Sequence, residues 1–129
     1  MSHRAKKAIL FIIEDDVEMR SLLSDFFASE GYVVKSFSDA TEALLEMSKP
    51  DGHADVIISD LNLPKMSGMA FLEKAKLIDP TIPVILVTAF GSGGTKQEAF
   101  SKGAAGYFSK PFQLLEVSAF VQNAIGRRS

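Results

Sequence analysis

The chain has 129 residues, of which 47% are hydrophobic and 23% charged, with a net charge of −2. One domain averages roughly 100–200 residues, so this length supports a self-sufficient core and leaves no room for a second, separately folded output unit. Near-neutral charge gives no electrostatic case for nucleic acid binding, and the absence of cysteine rules out disulfides and thiolate metal sites and fits a reducing compartment.

Ala8–Ile13 is the longest apolar run, and it follows Arg4, Lys6 and Lys7 in the manner of a signal peptide. Glu14, Asp15 and Asp16 stand where a small-residue cleavage site would be, and the run is far too short to span a bilayer. A cytoplasmic protein with no membrane partner is therefore expected, and the run reads as a first strand. Met19, Leu22, Leu23, Phe26 and Phe27 then recur at helical spacing, closed by Gly31. Asp15 with Glu18 fits a capping box for this helix, and Asp16 fits a cap or first-turn acid.

Tyr32–Phe37 reads as a second strand. Asp39 with Glu42 forms another capping box, ahead of Ala40, Ala43, Leu44 and Met47 on one helical face. Pro50-Asp51-Gly52 is a turn, Val56–Asp60 a third strand, and Ser67 to about Ile78 a helix stopped by Asp79-Pro80. Pro83–Thr88 is a fourth strand. Gly91, Gly93 and Gly94 suggest a flexible loop, before a short, weak helix near Lys96–Lys102. Gly106–Lys110 is a short fifth strand. Leu114, Val117, Val121, Ala124 and Ile125 mark a last amphipathic helix. His3 and His53, without partner clusters, read as solvated.

Strand and helix alternate five times, which implies an α/β fold with a parallel sheet and helices on both faces. In such sheets the functional crevice lies outside the carboxyl ends of the strands. Those ends carry Glu14-Asp15-Asp16, Asp60, Thr88 and Lys110. Clustered carboxylates repel one another, and a hard divalent cation relieves that repulsion. A lysine suits a phosphate oxygen, and an ionised aspartate can act as a nucleophile toward phosphorus. The edge looks built to hold a phosphoryl group beside a metal.

Four segments carry a resemblance: Ile9–Asp16, Asp60–Gly68, Val87–Ala89 and Gly106–Phe112. Together, in this order and at strand ends, they resemble the receiver domain of two-component response regulators over about Ala8 to Ile125. The resemblance implies a flavodoxin-like, doubly wound five-stranded sheet of order 2-1-3-4-5, forming one receiver domain across 1–129. It implies that Asp60 accepts a phosphoryl group, and that Glu14, Asp15, Asp60 and the Asn62 carbonyl hold Mg²⁺ or Mn²⁺. Thr88 and Lys110 would contact the phosphoryl oxygens, and Tyr107 would be an aromatic switch that follows Thr88. A cis Lys110–Pro111 bond is expected. Phe90, two positions past Thr88, should hinder the hydrolytic water and slow dephosphorylation.

The implied donor is a sensor histidine kinase or phosphotransfer protein, docking near Val17–Leu23 and the loop after the fifth strand. The implied recipient of the signal is an effector protein or domain, or a second copy of the chain, met through the fourth-helix, fifth-strand and fifth-helix face. The domain would be no enzyme beyond its own phosphotransfer and slow autodephosphorylation. Gly126–Ser129 suits the start of a linker to a further domain. Three other classes compete. An aspartyl-nucleophile phosphohydrolase would need an acid where Asn62 stands. A flavodoxin-like carrier would have its FMN phosphate repelled by the three acids. A degenerate receiver would serve as a constitutive protein-binding module.

Overall fold

The computed structural model describes residues 7–91 and 93–128, so His3 and Ser92 lie outside the described residues. Strands β1 (Ile9–Ile13), β2 (Val33–Phe37), β3 (Val56–Asp60), β4 (Val84–Thr88) and β5 (Gly106–Ser109) alternate with five helices. These are α1 (Val17–Ser29), α2 (Ala40–Met47), α3 (Gly68–Ile78), α4 (Gly93–Ser101) and α5 (Leu114–Arg128). All strand pairs are parallel, in the order β2-β1-β3-β4-β5. This is the expected flavodoxin-like order. Among the described residues no helix is long and apolar enough to cross a membrane.

The three inner strands read as apolar because both of their faces are covered. Strand periodicity sends alternate side chains to opposite layers. Phe11, Ile13, Ile57, Val84 and Leu86 pack with Ala40, Ala43, Phe71, Leu72 and Ala75 of α2 and α3. Leu10, Ile12, Val56, Ile58, Ile85 and Val87 pack with Leu23, Phe27, Val117 and Val121 of α1 and α5. Each large side chain fully buried this way stabilises the fold by about 1.5–3 kcal/mol.

Local chemistry sets the helix starts. The Asp39 carboxylate accepts from Glu42 N at 2.9 Å, and Ser67 Oγ accepts from Ala70 N at 3.1 Å. At α1 the cap is Asp16, whose carboxylate accepts from Met19 N at 2.9 Å, and not Asp15. That leaves the Asp15 carboxylate outside the helix cap. At α4 the structure departs further from the sequence expectation. The helix begins at Gly93, so Gly93 and Gly94 form its first turn instead of a loop. Glycine weakens a helix but is compatible with its backbone, and composition alone misplaced the boundary.

Candidate functional site

The strand order reverses between β1 and β3, which opens the sheet's crevice at their carboxyl ends. Asp60 is the last residue of β3, Thr88 the last of β4, and Glu14 the residue after β1. Lys110 follows β5, and its N–H donates to the Thr88 carbonyl at 2.7 Å, extending the pairing to the site. The Lys110–Pro111 bond is cis. A turn holds Asp60 close to α3. A Cβ on Gly68 would lie 2.3 Å from the Asp60 carbonyl oxygen, so only glycine admits this approach.

Lys110 Nζ donates to Glu14 Oε1 and to Asp60 Oδ2, both at 2.8 Å. Asn62 N donates to Asp60 Oδ1 at 2.8 Å, and Asp16 N to Glu14 Oε2 at 3.2 Å. Glu14 is only 1% exposed, and burial pushes its carboxyl up to about 7 from an ordinary 4.5. Lys110 and the Asp16 N–H oppose that shift, while the nearby Asp60 charge adds to it. Burial disfavours the charge on Lys110, but its bonds to Asp60 and Glu14 outweigh this and raise its pKa above 10.5.

Carboxylate oxygens of Glu14, Asp15 and Asp60 lie within 4.8 Å of one another, and Asp15 is exposed while the other two are buried. Three carboxyl groups and the Lys110 ammonium meet here. All the pocket's donors are hard oxygens, which fits a small divalent cation such as Mg²⁺.

A second group of residues surrounds Thr88. Its buried hydroxyl oxygen accepts from Asn62 Nδ2 at 2.7 Å and from Phe90 N at 3.1 Å. Phe90 itself is 84% exposed, so its ring stands in solvent while its backbone N–H bonds Thr88. Tyr107 packs against the α2–α3 side of the core, with its hydroxyl buried and without a hydrogen-bond partner among the described residues. A Cβ on Gly91 would lie 1.9 Å from that hydroxyl and 2.7 Å from Thr88 Cγ2. The glycine is therefore what lets the ring tuck in behind Thr88.

The sequence points to the acids, Asn62, Thr88, Lys110 and Tyr107; the fold brings Glu14, Asp15, Asp60 and Lys110 together, and Asn62 bonds both Asp60 and Thr88. Sequence reasoning missed Arg20, whose Nη1 donates to the Glu14 carbonyl at 2.8 Å and pins the β1–α1 loop. A signal existed, since a cation in a first helical turn opposes the helix dipole and invites another explanation.

A family model described as the response regulator receiver domain matches residues 10–122. The chain belongs to this family. This receiver is 37% identical over 103 residues to the C4-dicarboxylate transport transcriptional regulatory protein DctD of Rhizobium meliloti, covering 80% of the chain and 22% of that protein. It is 32% identical over 120 residues to sporulation initiation phosphotransferase F of Bacillus subtilis, covering 93% of the chain and 95% of that protein. A receiver domain protein of Clostridium thermocellum superposes with a TM-score of 0.88 at 30% identity, covering 94% of this chain and 96% of the other. The receiver thus spans about a fifth of DctD and nearly all of the phosphotransferase. It is a two-component signalling domain and not a conventional enzyme, and receivers bind Mg²⁺ at an acidic pocket of this kind.

Proposed function

We propose that this receiver domain, formed by the whole chain, takes a phosphoryl group from the phosphohistidine of a sensor kinase or phosphotransfer protein onto Asp60. An Asp60 carboxylate oxygen forms the new bond to phosphorus as the bond to the histidine nitrogen breaks, and the nitrogen keeps the electron pair. Asp15, Glu14, Asp60 and the Asn62 carbonyl would hold Mg²⁺ or Mn²⁺. When bound, the ion would offset negative charge on the phosphoryl group in transit. Lys110 would turn from the Asp60 carboxylate to a phosphoryl oxygen, and the Thr88 hydroxyl would donate to another. Tyr107 would couple that change to α4, β5 and α5.

The observation that carries this reading is the Glu14–Lys110–Asp60 bridge at 2.8 Å on both sides. It holds the Asp60 carboxylate against a cation, with Glu14 and Asp15 close by. For the donor, an apolar groove of about 540 Å³ lies between α1 and the β5–α5 loop, beside the site. Met19, Leu22, Phe26, Pro111, Phe112 and Leu114 line it and suit the apolar face of a partner helix. Output would run through the α4, β5 and α5 face to an effector or a second copy, in the cytoplasm, with only slow autodephosphorylation.

The test is acetyl phosphate with Mg²⁺, read by intact mass. The wild type gains one phosphoryl group and Asp60→Asn gains none. Labelling of the Asp60→Asn protein would overturn the assignment, and a wild type that takes up nothing would favour a constitutive binding module.

A further inference from the structure

Thr88 is fully buried, yet its hydroxyl oxygen receives two hydrogen bonds, one from the β3–α3 loop and one from the β4–α4 loop. A threonine hydroxyl has two acceptor positions and one proton. Asn62 Nδ2 at 2.7 Å and Phe90 N at 3.1 Å fill both acceptor positions. What the hydroxyl has left to offer is its proton. A phosphoryl oxygen, which accepts and does not donate, needs that proton.

Asn62 is also tied to the other half of the site, since its backbone N–H donates to Asp60 Oδ1 at 2.8 Å. One residue thus reaches the phosphoryl acceptor through its main chain and the hydroxyl through its side chain. Its side chain lies at the surface, so it can be exchanged without opening the core.

We infer that Asn62 is a positioning residue: its amide presets the Thr88 hydroxyl as a hydrogen-bond donor toward the anionic group on Asp60. This rests on the proposed phosphoryl-accepting function. The hydroxyl would otherwise have to give up a competing orientation when the phosphoryl group arrives. A donor whose proton direction is already set lowers that orientational cost, whatever movement the Thr88 loop makes. The side chain acts through Thr88, and its effect should vanish when Thr88 has no hydroxyl.

The experiment is a double-mutant cycle on beryllofluoride affinity at saturating Mg²⁺, using the full chain. Asn62→Leu should weaken binding by about fivefold to tenfold, the size of one hydrogen bond. In a Thr88→Ser background, which keeps a hydroxyl, Asn62→Leu should cost about as much. In a Thr88→Val background it should cost nothing further. Equal losses in Thr88→Val and wild type would overturn the inference, as would no loss in the wild type. A wild type that fails to bind beryllofluoride would instead overturn the phosphoryl-accepting function itself. Thermal unfolding of each variant confirms that the comparison is made on folded protein.

Discussion

Helices α3 and α4 each follow a strand that ends in a site residue, Asp60 and Thr88 respectively, yet they are seated differently. α3 buries Gly68, Phe71, Leu72 and Ala75 and has a Ser67 cap. α4 opens on two glycines, and Ala99 is its buried residue among those described. A buried phenylalanine or leucine is worth about 1.5–3 kcal/mol, whereas a buried alanine methyl is worth about 0.8 kcal/mol. A hydrogen bond to a charged group contributes about 1.5–3 kcal/mol. One new bond at Thr88 therefore rivals what holds α4 and falls well short of what holds α3. On the proposed function, the acceptor side of the site would be anchored and the Thr88 side free to respond.

The hardest blow to that contrast comes from truncating each helix at its buried residue. Phe71→Ala should cost about 3–5 kcal/mol in urea unfolding. Ala99→Gly should cost about 1–2 kcal/mol, from one lost methyl and the glycine penalty. Similar costs at the two positions would erase the difference between the helices.

Next in size is Lys110→Met, which strips the cation from two buried carboxylates. It should lower stability by about 1–3 kcal/mol. Mg²⁺ should recover part of the loss, because the variant pocket is more electronegative and binds the ion more tightly. Weaker Mg²⁺ binding in Lys110→Met would place the ion elsewhere.

Glu14 adds a pH dependence confined to the anchored side. Its folded pKa of about 7 exceeds the ordinary 4.5. Between those values the folded state holds a proton that the unfolded chain has released. The contribution of Glu14 to stability is therefore complete below pH 4.5, falls as pH rises to about 7 and is flat above. Urea midpoints across this window should show the decline, and Glu14→Gln should remove it. Mg²⁺ affinity should rise over the same window, since the ion needs the carboxylate ionised.

The smallest effect sharpens the contrast from the other side. A Cβ on Gly93 meets nothing within 4 Å. Gly93→Ala should stabilise α4 by about 0.5–1 kcal/mol, seen as slower amide exchange in that helix and unchanged exchange in α3. Slower exchange in both helices would mean that they open together.

The anchored half was legible in the sequence and the responding half much less so. Continuous apolar runs named β1, β3 and β4, because strands covered on both faces carry no polar alternation. Asp39 with Glu42 located the start of α2 for the same local reason that operates in the folded chain. Glu14, Asp60, Thr88 and Lys110 could be placed at one edge because parallel topology leaves strand ends together. By contrast, Gly93 and Gly94 suggest a loop in the sequence because nothing local distinguishes a glycine in a first turn from one before it. The burial of the Tyr107 hydroxyl beneath Gly91 and the Asn62–Thr88 bond join residues 16 and 26 positions apart. Such contacts depend on packing and rotamer, which no spacing rule encodes. Asp15 and Asp16 lay between these cases. Both suited a cap, and backbone geometry chose Asp16.

On the proposed function, a phosphoryl group on Asp60 reorganises the Thr88 side of the site while the α3 side stays in place. Amide proton–nitrogen spectra with Mg²⁺, before and after beryllofluoride, test it most directly. Large shifts are expected from Thr88 through α4 to Tyr107, small ones across the core of α3, and none in Asp60→Asn. Equal shifts in α3 and α4, or the same response from Asp60→Asn, would contradict it.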